Sequence, residues 1–205
     1  MRTLVMDCST EACSVALFDN GNLVDGRFEV LGRGHAERLV PMIRELPDRG
    51  RAERVVAGLG PGSFTGVRVA IATARALAFA WQGKASGYPT LALVAAMARA
   101  EAGDAPVTVA MTGGHGEWFV ERFDAQGCSI AALASLRPDA AVAFAGTELV
   151  AGNQAQALVT MRGGGAALEV LPDARAFALL PEAILSEQLD PIYGRGPDAK
   201  LPGAA

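Results

Sequence analysis

"GLGPGSFTGVRVAIATARALAFA", Gly58 to Ala80, places four glycines and a proline in its first nine residues and then runs on in alanines and aliphatics. A strand-like "RVVAGLG" leads into it and a helical pattern follows, from about Thr65 to Gln82. In that order of elements the free N–H groups of a helix start favour anions. Two readings are open: a phosphate cradle, or a turn that starts a helix. The stretch has neither the lysine of a GxxxxGK[ST] loop nor the spacing of GxGxxG. In the second reading Pro61 and the glycines build the turn, and Ser63 or Thr65 caps the helix, each cap contributing ~1 kcal/mol.

Upstream, "TLVMDCS", "CSVALFD" and "LVDGRFEV" read as a three-stranded antiparallel meander, with turns at Thr10-Glu11-Ala12 and Asn20-Gly21-Asn22. In "HAERLVPMIREL" (35–46), Leu39, Met42, Ile43 and Leu46 recur at helical spacing, and Pro41 either kinks that helix or marks its true start. Downstream, "KASGYPTLALVAAMARAEAG" supplies a strand and a helix. The order β-β-β-α-β-α-β-α predicts an α/β fold with a mixed sheet and helices outside. The pattern resembles the ribonuclease-H-like layer shared by actin, sugar kinases and heat-shock ATPases.

After "EAGDAP" the pattern changes: "VTVAM", "GEWFVERFD" and "CSIAALA" form a second antiparallel set. We therefore expect a first domain over 1–103 and a smaller, degenerate one over 104–205, ending in the Pro/Gly-punctuated "LDPIYGRGPDAKLPGAA". No internal repeat of sequence is visible, although the fold calls for two related mixed-sheet domains, the second reduced.

With 205 residues and 51 % hydrophobic content the chain can bury a sizeable core. A net charge of −4 argues against unaided nucleic-acid binding, which needs a basic stripe. Cys8, Cys13 and Cys128 form no CxxC, so a reducing compartment is expected. The N-terminal apolar stretch is too short for a signal peptide or a membrane span, and the expectation is a cytoplasmic protein away from membranes.

Asp7, at the end of the first strand, either polarises water or a metal at a phosphate, or is a turn aspartate accepting backbone N–H groups. With Ser9, Thr10, Gly60, Gly62 and Ser63 it makes up a candidate vestigial nucleotide site. "GSFTG" does not fit the GxSxG nucleophile elbow. His35 reads as a helix N-terminal residue and His115 as part of a glycine turn, so no metal site is expected. In the long helix Arg68, Arg75 and Gln82 recur every seven residues while nearly all else is small or apolar. Its face of Val69, Ala72, Thr73, Ala76 and Ala80 either lies inside its own domain or is covered by a second protein.

"MDCSTEACSVALFD", "HAERLVPMI", "GLGPGSFTGVRVAIATARALA" and "DPIYGRGPDAKLPG" resemble the TsaB (YeaZ) family. The resemblance implies a noncatalytic relative of TsaD, the subunit that attaches threonylcarbamoyl to adenosine 37 of tRNAs reading ANN codons. It implies no catalytic residue and no cofactor beyond weak nucleotide binding at a subunit junction. TsaD holds a metal with an HxxxH pair; here Pro89 and Leu93 stand at the aligned positions, and neither can ligate. The implied partners are TsaD, in a heterodimer, and TsaE, with a homodimer when TsaD is absent and tRNA met only through the complex. Leu39, Val40, Ile43, Arg68, Val69, Ala72, Thr73, Ala76 and Ala80 would supply the partner face. Where relatives read like "DARxGEVY", this chain has Thr112, Gly113 and Gly114. The rival readings are an ATP-dependent phosphotransferase of the same fold, which needs a second DxGT-like hairpin that the second half lacks, and a protease or protease-directing factor.

Overall fold

Strands β1 (Arg2–Asp7), β2 (Ala12–Asp19) and β3 (Asn22–Val30) pair antiparallel, and β4 (Arg54–Gly58) and β5 (Lys84–Tyr88) add in parallel on the far side of β1. The sheet order is β3-β2-β1-β4-β5. This computed structural model describes residues 1–146 and 149–194. Residues 195–205 of the expected tail, which carry the end of "DPIYGRGPDAKLPG", lie outside the described residues.

β1 and β2 read as continuous apolar runs because both faces of the sheet are covered. Leu4, Met6, Val15 and Leu17 face helices α1 (His35–Arg44) and α2 (Phe64–Trp81). Val5, Ala16 and Phe18 face Tyr88, Leu93 and Ala174. Leu93 belongs to helix α3 (Thr90–Ala102), which also presents Leu91, Val94, Ala95 and Ala98 to the second sheet. One helix thus serves two cores. Pro41 lies inside α1, six residues after its start, so it does not mark the beginning of the helix.

The second sheet repeats the first strand for strand. β6 (Val107–Thr112), β7 (Trp118–Phe123) and β8 (Ser129–Leu136) are antiparallel, and β9 (Leu149–Ala151) and β10 (Ala166–Leu168) continue in parallel from β6. Helix α4 (Pro138–Phe144) precedes β9 as α1 precedes β4, and α5 (Ala155–Arg162) follows β9 as α2 follows β4. The parallel strands shrink from five residues to three. The fold is the expected α/β architecture of two related mixed sheets, the second reduced. Their likeness is topological: side chains have diverged while the pairing order has not.

Residues 174–192, which the sequence reading groups with the second unit, run back over the first sheet. The 3-10 segment Ala174–Leu179 places Ala174 and Phe177 on the core around Val5 and Phe18. Ser186 and Gly87 exchange two backbone hydrogen bonds of 2.9 Å at the β5 edge, and Ile192 N donates to Leu59 O at 2.8 Å. Sequence pattern misses this because a segment held by isolated backbone bonds needs no periodicity.

α2 starts where the glycine turn ends. Ser63 is its N-cap, its Oγ accepting from Gly66 N at 3.2 Å, and Gln82 closes the helix in the left-handed region at φ 55°. Gly62 and Gly66 are glycines for lack of room: a Cβ on either would come within 1.9 Å of the carbonyl oxygen of Ser9 or Cys8. Ser63→Ala is expected to lower stability by about 1 kcal/mol in urea unfolding; an unchanged midpoint would move the capping role to another group.

Candidate functional site: a cleft between the sheets and the exposed face of α2

β1 and β4 are the parallel neighbours at which the first sheet reverses its strand order, and β6 and β9 hold that place in the second. Ligand crevices in open α/β sheets form outside the carboxyl ends of such strands. The cleft of about 860 Å³ found here lies at these ends. Ser9, Thr10 and Glu11 line it from the turn after β1, and Gly62, Ser63, Phe64 and Arg68 from the loop and first turns of α2. Thr112, Gly113, Gly114 and Asn153 line it from the turns after β6 and β9.

The side chains organise one another across the cleft. Asn153 accepts Thr112 N at 2.8 Å on Oδ1 and donates through Nδ2 to Glu11 Oε1 and Oε2 at 3.0 and 3.2 Å. It therefore ties the β1–β2 turn to the second sheet. At the rim Arg68 lies 3.3 Å from the Phe64 ring centroid and donates to the Tyr193 hydroxyl. Such a stacked guanidinium gains cation–π energy and keeps a fixed direction. Asn153, Phe64 and Tyr193 were absent from the sequence-level candidates; they meet only when two sheets and the returning C-terminal segment are assembled.

Asp7 is corrected by the structure. It is 1 % exposed and outside the cleft lining, and its carboxylate is surrounded by protein donors. Oδ1 accepts Ser9 N at 2.8 Å and the Ser9 hydroxyl; Oδ2 accepts Tyr88 Oη at 3.1 Å and Thr90 Oγ1 at 3.2 Å. Gly58 packs so close that a Cβ there would lie 2.0 Å from Oδ2. The side chain points into the sheet-helix junction, where it accepts the Ser9 backbone N–H as a turn aspartate does and three hydroxyls besides. Gly60 is also outside the lining: its N–H goes to Thr90 Oγ1 and its φ of +91° shapes the turn. Ser9, Thr10, Gly62 and Ser63 remain in the cleft.

Burial pushes the Asp7 carboxyl up from its ordinary value, against the downward pull of the Ser9, Tyr88 and Thr90 hydrogen bonds. The native state therefore takes up this proton before the unfolded chain does. Asp7 titration favours folding as pH falls through the raised native value toward 3.8, the reverse of an acid-labile carboxylate.

Among the described residues, Glu11 and Arg68 are the charged ones lining the cleft. Ser63 Oγ is engaged as a cap. His35 is buried in α1, with Nε2 3.2 Å from Ala12 O, and His115 lies in the β6–β7 turn at φ 59°. Among the described residues no three His, Cys, Asp or Glu gather at metal-binding distance. Leu93 is fully buried and Pro89 is the N-cap of α3. The cleft can hold a small molecule against aromatic walls, with hydroxyl and backbone contacts to orient it.

The candidate partner residues divide. Ala72, Ala76 and Ala80 are exposed on α2, and between them Phe79 is 89 % exposed; Val69 and Thr73 are half-buried at the edge. Val40 is exposed on α1. Leu39 and Ile43 do not belong to a surface: they are 1 % and 3 % exposed and pack in the core of the first sheet. Their helical spacing is the same as that of a docking stripe, but it faces inward. Arg68 is exposed and bonded to Tyr193, and Arg75 donates to Leu189 O at 3.2 Å, so two of the three residues of the seven-residue repeat hold the chain's own C-terminal segment, while Gln82 ends the helix. Phe79 escaped the sequence reading because it falls outside the small-residue pattern used to define the face.

Comparison with known proteins places these features. The family model described as "TsaD: tRNA N6-adenosine threonylcarbamoyltransferase" matches residues 29–167. The tRNA threonylcarbamoyladenosine biosynthesis protein TsaB of Escherichia coli K12 is 38 % identical over 124 residues, 58 % of this chain and 53 % of that protein. The protein of the same name from Haemophilus influenzae is 46 % identical over 81 residues, 37 % of this chain and 34 % of its own length. The aligned part thus spans about half or less of these curated relatives. YeaZ from Pseudomonas aeruginosa superposes with a TM-score of 0.76 at 32 % identity, covering 94 % of this chain and 99 % of that one. The ethanolamine utilization protein EutJ of Carboxydothermus hydrogenoformans, at a TM-score of 0.50 and 12 % identity over 87 % of this chain and 89 % of its own, shares the fold. With the glycine turn, the duplicated sheet and the small-residue helix face in place, the chain belongs to the TsaD family and, within it, to the TsaB (YeaZ) group.

Proposed function

We propose that this chain is a noncatalytic scaffold subunit that binds TsaD and supports threonylcarbamoyl transfer to adenosine 37 of tRNAs reading ANN codons. The observation that carries it is the outer face of α2, where Ala72, Ala76, Phe79 and Ala80 are exposed together on a helix with no acidic residue. Exposed alanines let a second helix approach closely, and an exposed phenylalanine supplies an anchor for its groove. The inward-turned Asp7 supports a role without phosphoryl or water activation by this chain.

TsaE joins the pair in this reading, tRNA is met through the complex, and the same α2 face closes a homodimer when TsaD is absent. A cytoplasmic location goes with this role in tRNA modification; separately, among the described residues no helix is long and apolar enough to cross a membrane. No cofactor is assigned, apart from weak nucleotide binding at the subunit junction beside Ser9, Thr10, Gly62 and Ser63.

Co-purification with the TsaD of the same organism, followed by size-exclusion chromatography with light scattering, tests this. A one-to-one complex is expected, and the isolated chain should transfer no threonylcarbamoyl group from threonylcarbamoyl-adenylate to tRNA. Transfer in the absence of TsaD would refute the noncatalytic assignment; failure to pair would refute the scaffold.

A further inference from the structure

We propose that Cys8 and Cys13 form a reversible intramolecular disulfide, a redox modification site at the base of the hairpin that walls the cleft. β1 and β2 pair with Asp7 opposite Ser14, so one further step sets Cys8 opposite Cys13. Facing residues of an antiparallel pair have Cα atoms about 4.5–5.5 Å apart, inside the range of about 4.4–6.8 Å that a disulfide spans. The two Sγ atoms are 3.6 Å apart in the same core cluster. Side-chain rotation closes the remaining gap to the bond length of about 2.05 Å without moving the strands apart. Cys128, the third cysteine, is exposed in the β7–β8 turn and takes no part in this pair.

The oxidant class is a small peroxide. A thiolate of one cysteine attacks hydrogen peroxide, the O–O bond breaks, and a sulfenic acid and one water result. The second sulfur then attacks the first, the S–S bond forms, and the sulfenic oxygen leaves as a second water. The two sulfurs give up two electrons, the peroxide takes them, and both thiol protons end in water. Both sulfurs are fully buried, and the Cys13 thiol and burial hold the Cys8 thiol well above its ordinary range. Reaction therefore requires a fluctuation that uncovers the pair, and in a reducing compartment the dithiol is the resting form.

The cross-link acts on the cleft because the hairpin end packs on α2. Ser9 O accepts Ser63 N at 2.7 Å, and Cys8 O lies against Gly66. Joining residues 8 and 13 restrains Ser9, Thr10 and Glu11, the residues this turn contributes to the cleft.

The test uses the full chain carrying Cys128→Ser, treated with hydrogen peroxide, unfolded, alkylated and weighed. The expected product has lost two hydrogens, resists alkylation at both positions, and regains two alkylatable thiols with dithiothreitol. Stable addition of oxygen at either cysteine, or two alkylatable thiols after treatment, would overturn the proposal. Hydrogen exchange at Thr10, Glu11 and Ala12 should slow in the oxidised form, and equal exchange in both forms would overturn the restraint on the cleft wall. The mass readout needs no cysteine variant in the core, so loss of folding cannot mimic the result.

Discussion

Ala76→Arg is expected to lower the affinity for TsaD by two orders of magnitude or more while leaving the thermal midpoint of the isolated chain in place. Ala76 is exposed in the free chain, so an arginine there has room and water. In a close helix–helix contact the guanidinium would be buried without a partner. Removing an unpaired charge from water costs at least about 3 kcal/mol, which is about a hundredfold in Kd. Titration calorimetry against TsaD, with circular dichroism melting of the variant alone, separates docking from folding. An unchanged Kd would place the interface away from α2. Phe79→Ala should weaken pairing by the loss of an aromatic anchor, at about 2 kcal/mol or more. Substitution of Leu39 or Ile43 should act on folding, since both lie in the core.

Asp7→Ala is expected to destabilise the fold by about 3–5 kcal/mol in denaturant unfolding. The truncation strands four donor groups that now converge on one carboxylate: Ser9 N, Ser9 Oγ, Tyr88 Oη and Thr90 Oγ1. Tyr88 and Thr90 are fully buried, so water does not replace what they lose. The same residue joins the end of β1 to the end of β5 and the start of α3, and its loss should loosen the glycine turn through Thr90 and Gly60. A variant with wild-type stability would mean that Asp7 points outward in solution, and would restore the phosphate-site reading. No loss of ATP turnover is at issue under the proposed function; the readout is the unfolding midpoint.

Much of the architecture was legible in the residues. The meander over 3–30, the helix from about Thr65, the strand "RVVAGLG" and the change of pattern near Gly103 follow from alternation, helical period and glycine placement. These are local properties, and the observed elements lie within a residue or two of them. Alanine and glycine in α2 also announced a small-residue face narrow enough for another helix to approach. Legibility ended where one pattern serves two ends. Leu39 and Ile43 show the same spacing as an exposed stripe, and only the position of the sheet beneath α1 decides that they face inward.

The cleft shows the same division. Ser9, Thr10, Gly62 and Ser63 could be named from two turns in the first half, because turn chemistry is local. Asn153, Tyr193 and Phe119 come from elsewhere in the chain, and their meeting depends on the second sheet and on residues 174–194 returning to the first. Asp7 is the clearest case. Its type and position at a strand end suit a catalytic acid and a buried structural acceptor equally; the donors that engage its carboxylate, Tyr88 and Thr90, lie more than eighty residues away. The sequence by itself determined strands, helices and turns, since these rest on near-neighbour periodicity and backbone freedom, while the family was carried by the resemblance of its motifs. Only the tertiary structure decided which faces meet water and which polar groups meet each other, because burial and hydrogen-bond satisfaction belong to the assembled chain and to no single segment of it.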